Sequence, residues 1–280
     1  MPSQHLPNTS GVRLKCYNVV MSASYQSILW ERDEGIVTLT LNRPEKRNPI
    51  GPQSLGELVH ALEAAGADAD SRVVIITGAG KAFSAGGDLS MLSGSTQSAS
   101  DIKPASLVKL LTTMHALGKP IIAMVNGHAL AGGLGLMVAC DLVVASDAAT
   151  FGTTEIKVGL WPMMITAELT RNIGRKKTLE LMLTGKRIDA AEAERIGLIN
   201  QRVAPDELVA ATRALAAQLA AQSPTTLAKG LRSFYGTQDM EFEAALGVLE
   251  AGLAEVLATE DAREGLMAFL QKRKPVWKGR

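Results

Sequence analysis

The clearest pattern along the chain is a series of short apolar runs separated by turn residues. Ile36–Leu41 is β-branched and partly alternating, and Asn42-Arg43-Pro44 stops it, which predicts a strand. Residues 73–77, Ile121–Val125 and 142–145 are apolar almost throughout and of strand length. Such runs predict strands buried on both faces, as in a parallel sheet. Residues 51–65 place Leu55, Leu58, Val59 and Leu62 on one helical face; 107–117 and 132–139 read as further helices. Strand and helix thus recur over the first two-thirds of the chain, which predicts an α/β core with helices covering sheet. Residues 93–105 are polar and read as a surface loop. From Pro205 onward the pattern is helical, over 206–221, 240–257 and 261–274. This part is rich in Ala and Leu, which suits packing on the core or on another subunit. No repeat of fixed period is visible. The expected organisation is a loose extension over 1–21, an α/β core over 22–204 and a helical region over 205–280.

Charge and composition narrow the function classes. Of the 280 residues, 29 are Lys or Arg and 28 are Asp or Glu, and only 4% are aromatic, so neither a basic footprint nor a stacking platform for nucleic acid is present. Two cysteines, Cys16 and Cys140, exclude a disulfide framework and a Cys-rich zinc site. The four histidines are isolated in sequence, and no metal is expected. The longest apolar stretch, 129–140, is too short and too glycine-rich to cross a bilayer. No apolar segment follows a basic start, as a secretory signal requires. Glu31 is the first acid, and Arg13 and Lys15 are the only Lys or Arg before it, a weak match to a transit peptide. Cytoplasmic residence is expected, with an organelle matrix as the alternative. Without a secretion signal, Asn8-Thr9-Ser10 is read as a chance match to a glycosylation acceptor.

Three segments could carry chemistry. Lys81-Ala-Phe-Ser-Ala-Gly-Gly-Asp-Leu89 directly follows a buried strand, where glycines let backbone N–H groups face a ligand. A plain tight turn is the competing reading. The segment lacks the Walker A, dinucleotide-fingerprint and G-x-S-x-G spacings. Asn126-Gly-His-Ala-Leu-Ala-Gly-Gly-Leu-Gly135 leads from another strand into a helix whose first N–H groups are free, or else packs helix on sheet through small residues. His128 there reads as structural. In Phe151-Gly-Thr-Thr-Glu155-Ile-Lys157 a single acid lies among apolar and small residues. Desolvation would lift its pKa toward the range useful for proton transfer; a surface pair with Lys157 is the alternative.

Taken together, in this order and spacing, these segments resemble the crotonase superfamily, the enoyl-CoA hydratase/isomerase family. Leu41-Asn-Arg-Pro-Glu-Lys46 and Leu183-Thr-Gly-Lys-Arg-Ile-Asp-Ala190, followed by Gly197-Leu198, are also similar to it, so the resemblance spans about residues 28–274. It implies a core of repeated ββα units in a spiral, a C-terminal helical oligomerisation region, and a homotrimer or dimer of trimers. It implies an acyl-CoA thioester as substrate, with no separate cofactor. The oxyanion-hole amides match Gly87 and Gly132. Ala85, Gly86, Asp88 and Leu89 match the CoA-contacting loop, with Gly133 beside it and Asp88 chiefly structural. Lys46 matches a basic approach to the CoA phosphates, and Phe269 and Lys272 match an aromatic–basic pair that often comes from a neighbouring subunit. Trp161, Met163 and Met164 are expected near the acyl group, with at least one methionine in core packing.

The acids decide the reaction. Hydratases of this family carry two glutamates; the second matches Glu155, while the first matches Gly135, which has no side chain. Water addition needs a base for the water as well as an acid for the α-carbon. One carboxylate suffices to remove a proton at one carbon and return it at another. The expected activity is therefore enoyl-CoA Δ3–Δ2 isomerisation, with hydration of 2-enoyl-CoA as the alternative. A non-catalytic acyl-CoA-binding or RNA-binding relative is the competing class, and decarboxylase, dehalogenase and hydrolase relatives share the scaffold.

Overall fold

Three successive stretches of the chain fold alike, each sending one strand into a large sheet and the next into a small one. The computed structural model describes residues 25–88 and 101–280. The elements before the first repeat are β1 (Ile28–Asp33), β2 (Ile36–Leu41) and α1 (Pro52–Ala67). The repeats are β3 (Val73–Gly78), β4 (Ala82–Ser84) and α2 (Leu107–Ala116); β5 (Ile121–Val125), β6 (His128–Leu130) and α3 (Gly132–Val138); and β7 (Leu142–Ser146), β8 (Thr150–Gly152) and α4 (Ile165–Thr184). Then come β9 (Ile188–Asp189), α5 (Ala190–Arg195), β10 (Gln201–Val203), α6 (Leu208–Ala220), α7 (Pro224–Thr237), α8 (Phe242–Leu257) and α9 (Glu260–Leu270).

The large sheet has the order β1-β2-β3-β5-β7-β10 and is parallel except for the β1–β2 pair. The small sheet has the order β4-β6-β8-β9. The apolar runs are buried on both faces, as their composition requires. Val74 and Ile76 face α1 and the small sheet, while Val73, Ile75, Ile122 and Val144 face Leu208 and Ala216 of α6. Leu208 and Ala216 of α6 thus pack on the core, and α7, α8 and α9 follow. The repeat escapes sequence periodicity because β4, β6 and β8 have three residues each. Helix α4, unseen in the pattern, is interrupted at Gly174, where φ is 71° and ψ is 166°.

Helix α7 is tied to the core by Tyr235, whose hydroxyl donates to Asp141 Oδ1 at 2.5 Å and whose ring stacks on His115 of α2. Asp141 Oδ2 in turn accepts the Ile121 amide at 2.6 Å. The next helix, α8, buries no residue within the chain, and Phe242, Leu253 and Leu257 are exposed on it. The expected extension over 1–21 lies outside the described residues, as do Leu89 and residues 93–100 of the polar loop.

Candidate active site

The site is assembled where β4 and β6 end. Residues 48–50 run alongside 86–88: the Ile50 amide donates to Gly86 O at 2.8 Å, and the Asp88 amide donates to Ile50 O at 2.9 Å. In an extended segment successive peptide groups point to opposite sides. The Gly87 amide therefore points away from Ile50, toward α3. A Cβ built on Gly132, the first residue of α3, falls 3.8 Å from Gly87 N, so the two backbones approach closely. Among the described residues neither the Gly87 nor the Gly132 amide donates to an acceptor. Two unspent donors side by side suit a carbonyl oxygen that gains negative charge.

Backbone geometry holds this arrangement. Gly86 has φ of 106°, and a Cβ there would meet Ala131 Cβ at 2.6 Å, so only glycine fits. Ala131 itself has φ of 51° and ψ of −129°, a strained conformation that turns the chain into α3. Its amide donates to Gly152 O at 2.9 Å and locks β6 to β8. Gly133 serves packing: a Cβ there would meet Ser84 Cβ at 2.6 Å. Thus the two readings of the glycine run both hold, at different glycines.

Asn48 is a central support that sequence reasoning missed. It is buried with φ of 54°, and its Nδ2 donates to Ala79 O, Ala82 O and Phe83 O at 2.9, 2.8 and 3.2 Å. Its Oδ1 accepts the Arg43 amide, and its carbonyl accepts Ser84 Oγ, both within 2.9 Å. The Asn-Pro pair marks a turn, but only the fold buries this amide under the glycine loop. Asp88 forms an ion pair with Arg43 Nη1 at 2.8 Å. The Ala85 amide donates to Arg47 O at 2.9 Å, on the same turn whose exposed Lys46 ends a short 3-10 segment.

Glu155 opens a second 3-10 turn three residues after Gly152. It is half-buried, and its Oε2 is buried with no hydrogen-bond partner among the described residues. Burial pushes its carboxyl above the ordinary 4.5. No ion pair joins it to Lys157, whose side chain lies over Gly185 instead. A desolvated carboxylate oxygen without a partner is suited to proton transfer, as the two unspent amides are to a developing oxyanion.

His128 hydrogen-bonds Thr150 Oγ1 at 2.7 Å across the strand pair, a structural role. Trp161 is half-buried, whereas Met163 and Met164 are both exposed, so neither is in core packing: the segment between the 3-10 turn and α4 runs over the surface. Phe269 is 82% exposed and Lys272 is exposed at the end of α9, which packs on α7 and α8. No described hydrogen bond or ring contact joins either to the glycine loop. Among the described residues no group of three or more His, Cys, Asp or Glu side chains is arranged for a metal ion, and no helix is long and apolar enough to cross a membrane.

Paired unspent backbone donors and a half-buried carboxylate thus lie on a ββα spiral. Residues 31–280 match the enoyl-CoA hydratase/isomerase family, and the chain belongs to that family. It is 39% identical to the "Probable enoyl-CoA hydratase echA8" of Mycobacterium bovis, over 90% of this chain and 98% of that one. It is 36% identical to the 2,3-dehydroadipyl-CoA hydratase of Escherichia coli, over 90% and 99%. The crystal structure of an enoyl-CoA hydratase from Mycobacterium smegmatis superposes with a TM-score of 0.82 at 34% identity, covering 90% of this chain and 99% of that one. The crotonase fold and an acyl-CoA enzyme of this family are thereby established.

Proposed function

We propose that the chain catalyses the Δ3–Δ2 shift of an enoyl-CoA double bond with Glu155 as its one proton carrier. The amides of Gly87 and Gly132 donate to the thioester oxygen and stabilise the negative charge that gathers there. Glu155 takes a proton from C2 of the 3-enoyl thioester as the C2–H bond breaks, leaving a dienolate. It returns the proton to C4, and the double bond rests between C2 and C3. The observation that carries this reading is at Gly135: it has no side chain, and a Cβ there would meet Ile165 Cγ2 at 2.0 Å. Asp141, the nearest acid in sequence, is committed to Tyr235 and Ile121 and offers no substitute base.

CoA binding is assigned to the loop of Ala85, Gly86, Asp88 and Leu89, with Lys46 and a neighbouring subunit's copies of Phe269 and Lys272 at the nucleotide end. Trp161 borders the acyl end. The apolar outer face of α8 supports assembly into a trimer or dimer of trimers. The reaction needs no metal, so treatment with a chelator leaves turnover unchanged; loss of activity would contradict this.

A second reading, hydration of 2-enoyl-CoA, is favoured by the name of the E. coli relative, a hydratase at 36% identity. Initial rates with 3-enoyl-CoA and with trans-2-enoyl-CoA separate the two. Faster isomerisation supports the one-carboxylate site, and faster hydration refutes it.

A further inference from the structure

Gly135 lies one helical turn beyond Gly132 on α3, so a side chain there would leave the helix on the same face as residue 132. That space is taken. A Cβ at 135 would lie 2.0 Å from Cγ2 and 3.1 Å from Cβ of Ile165. Ile165 begins α4, is 2% exposed and packs within the main core. A β-branched side chain on a helix is stiff at χ1, so the methyl cannot swing aside at little cost. The backbone of Gly135 is also spent: its amide donates to Ala131 O and its carbonyl accepts the Ala139 amide.

We infer that Ile165 is a specificity-determining residue, whose Cγ2 methyl fills the space off Gly135 and denies the α3 side of the site a second polar side chain. The inference rests on the one-carboxylate reading above. It gives Ile165 a role through what it excludes: the same surface segment that supplies Glu155 ends, ten residues later, in the plug that keeps Glu155 alone.

The experiment places Gly135→Ala and Gly135→Glu in the wild-type, Ile165→Val and Ile165→Ala backgrounds. Thermal midpoints are read together with the ratio of 2-enoyl hydration to 3-enoyl isomerisation. Ile165→Ala removes the methyl at 2.0 Å and leaves only the Cβ at 3.1 Å. Gly135→Ala should therefore lower the midpoint in the wild-type and Val backgrounds and leave it unchanged or higher in the Ala background. An equal loss in all three overturns the contact. Gly135→Glu with Ile165→Ala should raise the hydration ratio at least tenfold over Ile165→Ala alone. A folded double variant whose ratio stays put overturns the specificity role. If the Glu variant does not fold, Gly135→Ser with Ile165→Ala carries the same comparison with a smaller side chain. Wild-type protein that hydrates faster than it isomerises defeats the one-carboxylate reading by itself, whereas the midpoints judge the Ile165 contact independently.

Discussion

Replacing Glu155 by Gln preserves shape and removes proton exchange at one atom, so its two consequences can be worked out separately. Proton transfer by a positioned side chain contributes about a hundredfold to ten-thousandfold. At about 1.4 kcal/mol per factor of ten, the variant should lose about 3–5 kcal/mol of transition-state stabilisation. Stability should move the other way. Burial raises the Glu155 carboxyl above 4.5 in the folded chain. A raised carboxyl contributes stability that is complete below the unfolded value and is lost as pH rises through the folded one. Once ionised, the wild-type carboxylate has a buried, unpaired Oε2, a cost that Gln does not carry as a charge. The midpoint of Glu155→Gln relative to wild type should rise between pH 4 and pH 7. The same shift predicts an acid limb in kcat/KM above pH 4.5, because the base must be ionised. Stopped-flow rates with 3-enoyl-CoA and melting curves at both pH values test this. A variant that keeps more than a tenth of wild-type turnover, or that loses relative stability on going from pH 4 to pH 7, would refute the assignment.

Tyr25 is pushed up to about 12 by burial and by the charge of Glu57, and Tyr235 lies above its ordinary 10 through burial and Asp141. Their contribution is complete below about pH 10 and lost as pH rises through the folded values, so melting points should fall on the alkaline side. Tyr235→Phe should flatten part of that fall and cost about 1–3 kcal/mol at pH 8, since Asp141 loses a donor; an unchanged alkaline slope would count against the Tyr235 contact. Lys272→Ala should weaken CoA binding in calorimetric titration, and more so at low salt, where screening is least. Equal binding at both salt concentrations would remove Lys272 from the nucleotide site. Light scattering should find an oligomer at micromolar concentration, and a stable monomer would exclude assembly through α8.

Much of the large sheet was legible in the residues themselves. The runs that became β3, β5 and β7 are apolar on both faces, and only strands buried between layers need that composition. Helix α1 declared itself through Leu55, Leu58 and Leu62 at helical spacing. The small sheet did not, because strands of three residues are too short to show alternation. Helix α4 stayed hidden because its pattern breaks at Gly174 and its surface is strongly charged. The glycine motifs and Glu155 were readable as candidates with definite alternatives. Whether Gly87 and Gly132 would meet, and whether Glu155 would lose its water without gaining Lys157, depended on how distant segments pack. Asn48 and Ile165 show the limit most plainly. Neither belongs to a motif, and each acts through atoms far away in sequence: three carbonyls in one case, the missing side chain of Gly135 in the other. Periodicity reports which face a residue presents, and composition reports whether that face is buried. Which other residue fills the space opposite is a property of the tertiary fold, because close packing is decided between surfaces that the chain brings together only when it folds.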